Sequence, residues 1–138
     1  MQLSNDVPLY LGSRVSEVMP PQADATAGNI TITANQILCG ILLHTGGGAR
    51  SDTTPTGPNL ALAIGKDLRV GTVIEFTLIP GDANIYTLVA GSGITLKGAT
   101  ANFASISGTS ATYKFVCTAL PTDSFVAGTG ATFDVYRM

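Results

Sequence analysis

One histidine, His44, and two cysteines, Cys39 and Cys117, occur in the 138 residues, so any imidazole chemistry must pass through a single position. The three could nominally form a metal cluster, or Cys117 and His44 could pair as nucleophile and base. Cys39 and His44, however, stand five apart on what reads as an apolar strand, which sends their side chains to opposite faces. Nothing in the pattern supports the nucleophile pair. The expectation is no catalytic residue, no metal and no cofactor, with His44 ending a strand and bonding a loop. Cys39 and Cys117 lie 78 positions apart. They are expected as two buried free thiols, although a disulfide between them remains open.

Carboxylates are equally sparse. Glu17 and Glu75 are the only glutamates, and the aspartates are scattered beside turn residues, so a pair facing one cleft for glycoside hydrolysis is not evident. Asp82, after Pro80-Gly81, reads as a turn residue satisfying backbone donors. Glu75 sits mid-strand and needs Lys114 or Arg69 if its face is covered; a solvated face is the simpler reading. Gly46-Gly47-Gly48-Ala49-Arg50 lacks the Gly-Lys-Ser/Thr ending of a phosphate loop and reads as a flexible turn. What survives is a polar knot, Arg50 to Thr56. Arg50 and Asp52, two apart, project to one side of an extended segment and can pair, either shaping the loop or supplying a subunit interface.

Composition narrows the classes. Seven basic against nine acidic residues give a net charge of −2 with no run of either sign, which argues against a nucleic-acid partner. Hydrophobic residues make up 45% and charged residues 12%, a profile of a packed domain rather than a disordered chain. The longest apolar stretch, Ile37 to Leu43, is far short of the ~20 residues of a membrane-spanning helix, so no membrane partner is expected. The N-terminus has no basic flank followed by an apolar core, so no secretory signal is expected.

The elements that must carry these residues read as strands. Residues 1–28, punctuated by Pro8, Pro20, Pro21 and Gly28, hold no sustained period. Yet Val7, Leu9, Tyr10, Leu11, Val15, Val18 and Met19 make them too apolar for a solvated tail. They read as an extended arm draped over the same domain or a neighbouring subunit, with Val7, Leu9, Tyr10 and Leu11 as interface candidates beside Arg50 and Asp52. Residues 29–138 read as the β-rich domain. Ile30 and Ile32 alternate with threonines, and Ile37 to His44 reads as a strand buried on both faces. Pro58 to about Leu68 is the one helix candidate, weakened by Gly65. Ile74, Phe76 and Leu78 alternate with Val73, Glu75 and Thr77; Tyr113, Phe115 and Cys117 share one face against Thr112, Lys114, Val116 and Thr118; and Phe133 and Val135 face away from Asp134 and Tyr136. Further short strands are read at Ile85–Val89, Ile94–Leu96 and Phe103–Ser107. The fold class is all-β: a single sandwich or barrel-like domain of short antiparallel strands with one short helix behind the arm.

One more observation comes from several motifs taken together. Gly40-Ile41 closes an apolar strand, Arg50-Ser51-Asp52-Thr53-Thr54-Pro55-Thr56 forms the knot, and Leu60 to Leu68 is an apolar helix-like piece. Val70-Gly71-Thr72 then opens the strand of Phe76, and Ala90 to Leu96 makes a turn and strand. Over roughly residues 34–118 this set resembles a domain of structural proteins in tailed bacteriophages and some other large DNA viruses. Gly57-Pro58 and the long N-terminal segment depart from that pattern. The resemblance implies a non-enzymatic virion protein assembled in the host cytoplasm: a capsid decoration (cement) protein on the capsid surface, a homotrimer, whose partner is the major capsid protein. Two other roles compete. A head-fibre or receptor-binding domain for host-surface glycans would cluster exposed tyrosines such as Tyr86 and Tyr136. A small cell-wall hydrolase would converge two acids such as Glu75 and Asp134.

Overall fold

A computed structural model describes residues 21–99, 103–105, 107–122 and 129–138. Val7, Leu9, Tyr10 and Leu11 therefore lie outside the described residues. The chain runs β1 (Gln22–Asp24), α1 (Ala34–Leu38), β2 (Ile41–His44), β3 (Arg50–Thr53), α2 (Gly57–Ile64), β4 (Val73–Pro80), β5 (Tyr86–Val89), β6 (Ile94–Leu96), β7 (Ala111–Ala119) and β8 (Thr132–Arg137). Six strands form one sheet in the order β1-β2-β4-β7-β8-β6, and β3 and β5 form a second, two-stranded sheet.

Period-two alternation places the core where the sequence predicts it. Tyr113, Phe115 and Cys117 on β7, Phe76 and Leu78 on β4, and Phe133 and Val135 on β8 are buried on one face. The helices cover that face: α1 packs on β2 and β4, and α2 on α1 and β8. Phe103 stacks on Tyr113 with ring centroids 6.0 Å apart, sealing the core beside the second sheet.

Several expectations are corrected. The strands are not uniformly antiparallel: β1-β2, β2-β4, β3-β5 and β6-β8 pair in parallel, and only β4-β7 and β7-β8 are antiparallel. Parallel neighbours need long crossovers, and intervening elements supply them: α1 between β1 and β2, β3 and α2 between β2 and β4. The large sheet ends in β1 and β6 without closing, so the architecture is a β-rich single domain built on an open mixed sheet.

Among the described residues there are also two short helices where one was expected. Residues 37–44 do not form one strand. Thr33 caps α1, its hydroxyl accepting from Gln36 N at 3.1 Å while Gln36 Oε1 accepts from Thr33 N at 2.8 Å. This reciprocal box draws Ile37 and Leu38 into a helical turn. Gly40, at φ +85, then reverses the chain into β2. The predicted helix over 58–68 stops at Ile64, with Gly65 capping its end. Residues 22–24, assigned above to the arm, are an edge strand of the domain. Ile30–Thr33 makes only one bridge, Thr31 to Thr53, and within 103–107 the bridge is Ala104 to Thr87.

Candidate functional site

β2 ends on His44 and β3 begins on Arg50, separated by the Thr45–Ala49 turn. A Cβ on Gly46 would overlap the Thr26 carbonyl, so only glycine lets this turn press against the segment after β1. That approach encloses a polar cluster. His44 and Asp52 are fully buried and Arg50 nearly so.

His44 Nδ1 lies 2.7 Å from Asp52 Oδ2, and its Nε2 lies 3.0 Å from Arg50 Nη1. A guanidinium only donates, so Nε2 accepts from it and Nδ1–H donates to Asp52. With Nε2 accepting from Arg50, its 2.9 Å approach to the Thr26 carbonyl is a close contact and not a hydrogen bond. Asp52 Oδ1 accepts the Ile30 amide at 3.3 Å.

Arg50 is held on every side. Its Nε and Nη2 donate to the Gly48 carbonyl at 2.9 and 2.7 Å, and its Cζ sits 4.6 Å from the Tyr86 ring centroid. The Tyr86 hydroxyl donates to the His44 carbonyl at 2.8 Å. Asp82 Oδ2 stands 3.7 Å from Arg50 Nη2 and has no hydrogen-bond partner. Desolvation pushes the Asp82 carboxyl up, but the Asn84 and Gly48 donors and Arg50 outweigh it and hold it below the usual range. Burial pushes the Tyr86 phenol up.

An Asp–His pair is the base half of a catalytic triad, yet here it faces inward. Arg50 occupies Nε2 with the Thr26 carbonyl close beside it, and none of the described residues brings it a nucleophilic hydroxyl or thiol. The cluster is a tie between β2, β3, β5 and the segment after β1. Arg50 and Asp52 do share a side, as expected, but His44 stands between them and they do not pair with each other. Their polar groups turn inward and hold the shape of the loop.

The remaining candidates are dispersed. Cys39 and Cys117 are buried and unpaired, their thiols donating to the Gln36 and Ala119 carbonyls. No group of three metal-ligating side chains occurs among the described residues. A cleft of about 350 Å³ lies between the first turns of α1 and α2, lined by Thr31, Thr33, Pro55, Thr56 and Asn59 among others. The Thr33 and Thr56 hydroxyls there are already used as helix caps. Tyr86 is buried, so it cannot join Tyr136 in an exposed aromatic platform.

The other face of the large sheet has a different character. The helices lie on its opposite side, leaving Ile41 (39% exposed), Val73 (53%), Tyr136 (43%) and Met138 (64%) in water. In register, Glu75 stands beside Lys114 and Lys114 beside Tyr136, while Val73 faces Val116 and Val116 faces Asp134. The charges pair among themselves, Lys114 with Glu75 at 3.9 Å and Lys97 with Asp134 at 3.2 Å. Glu75 thus has both a solvated face and a lysine neighbour. Arg69 instead donates to the Lys66 and Leu68 carbonyls. β7 runs between Glu75 and Asp134, and each faces a lysine rather than a shared cleft. Sequence reasoning found these strands one by one but not this face, because the strand order that assembles it is not local.

Against protein-family models, curated proteins and solved structures, the chain finds no match.

Proposed function

We propose that this protein is a non-enzymatic structural component of a virus particle, seated on the outside of a phage capsid and cementing it through contacts with identical copies and with capsomers. The observation that carries the reading is the open sheet face. Four large apolar side chains there, Ile41, Val73, Tyr136 and Met138, stand among charges already paired within the face. Such a surface can be covered with little cost in orphaned charge. The chemistry-capable side chains point the same way, since His44, Asp52, Arg50 and both thiols are spent on internal bonds. The phage-like motif set between residues 34 and 118 supplies the assignment to a virion. Part of it, the Arg50–Thr56 knot, builds the buried cluster.

A cement works by repetition. Each copy contributes modest interface energy, and a homotrimer gains avidity by attaching at several points together. The test is binding of the purified chain to particles assembled without it, read by co-sedimentation and by the temperature at which the shells release their genome. Saturable binding with a raised release temperature is expected. Failure to bind shells that accept the chain in the native particle, or turnover of a cell-wall polymer, would overturn the reading.

A further inference from the structure

The open sheet face meets a second feature at its edge. β1 pairs with β2 in parallel, Gln22 level with Leu42, so Pro21 comes level with Ile41, an apolar residue of that face. Everything before Pro21 enters the domain at this corner. Residues 7–19 carry seven large apolar side chains (Val7, Leu9, Tyr10, Leu11, Val15, Val18, Met19) and only two charges, Arg14 and Glu17.

We infer that residues 7–19 of one copy lie across the open sheet face of a neighbouring copy, joining identical chains head to tail. The inference rests on reading that face as a contact surface, and it names the occupant.

Reach is sufficient. At ~3.3 Å per residue, thirteen extended residues span about 43 Å, against about 24 Å across six strands. The face is read as a contact between identical copies, and a segment that leaves the domain at its corner, beside Ile41, can reach the same face on a neighbour. Charge is compatible as well. Glu75, Lys114, Asp134 and Lys97 are paired within the face, leaving its apolar side chains to meet an apolar segment. An arm-to-face contact is heterologous, using different patches on the two partners. Such contacts close into a ring when the rotation between copies permits.

The experiment uses the full chain. A Leu9→Cys copy and a Tyr136→Cys copy carrying different mass tags are mixed and oxidised; the native Cys39 and Cys117 are buried and serve as background. Disulfide-linked heterodimers are expected. A Leu9→Asp chain, with circular dichroism unchanged, is expected to fall from the oligomer's mass to that of a single chain in light scattering. A link formed only within one chain of a Leu9→Cys/Tyr136→Cys double variant, or an oligomer untouched by Leu9→Asp, would overturn the inference. Particle binding is measured separately. Cross-links without particle binding would sink the cement reading and leave arm exchange standing. Binding without cross-links would do the reverse.

Discussion

His44 shows how far a side chain's chemistry depends on what surrounds it. Its Nδ1–H to Asp52 would orient a general base in an open site; here Arg50 closes the other nitrogen. Removing the ring leaves a buried carboxylate and guanidinium without their bridge. His44→Ala should therefore cost about 3–5 kcal/mol of unfolding free energy by urea denaturation. Titration elsewhere gives the fold two pH limits. Burial pushes the Tyr113 phenol up to about 12, with Arg137 pulling weakly the other way. A folded pKa above the unfolded value near 10 means that this stabilisation is intact below about pH 10 and lost as pH rises toward 12. Tyr113→Phe should abolish that alkaline loss. At the acid end, the Thr26 hydroxyl and amide hold the Asp24 carboxyl below its usual range, as the donors around Asp82 hold that group. Depressed carboxyl values stabilise above the unfolded pKa near 4, and the benefit disappears as pH falls through the lower folded values. Urea midpoints of Asp24→Asn and Asp82→Asn should therefore vary less with pH below about 4 than those of the unmodified chain.

At the level of elements, what could be read depended on whether the signal was local. The alternation of Tyr113, Phe115 and Cys117 exposes β7 in the sequence because a strand with one buried face repeats every two residues. α1 was hidden because its apolar residues, Ile37 and Leu38, run on toward Ile41–Leu43 and together mimic one buried strand. The Thr33-x-x-Gln36 box was the available signal. Thr33→Ala should cost about 1 kcal/mol, read as a lower urea midpoint with an unchanged m-value. The Asp52–His44–Arg50 tie was half legible. Spacing put Arg50 and Asp52 on one side, but the insertion of His44 depends on β2 and β3 belonging to different sheets. No residue pattern within either strand announces that.

Across the whole molecule, the parallel pairings were the illegible part, because each joins strands separated by another element and leaves no mark on either strand alone. Those pairings also decide what faces outward. With both helices on one side, the sheet's other side has no covering helix among the described residues. Val73→Asp and Tyr136→Asp sit on it with side chains already in water, so each should change the urea midpoint little. Each should also weaken particle binding and self-association, read by co-sedimentation and light scattering. A loss of thermal stability as large as the loss of binding would instead mean that these side chains belong to the fold.

The position of β8 has a further effect on how the chain is made. Among the described residues β6 finds its only strand partner in β8, although β7 lies between them in the chain. During synthesis Ile94–Leu96 emerges about 40 residues ahead of that partner, roughly 2–8 s at 5–20 residues per second. Throughout that interval β6 has no strand to join, so the nascent chain carries an apolar segment that chaperones can recognise. A ribosome stalled before Thr132 would hold a domain whose β7 is also still open along one edge.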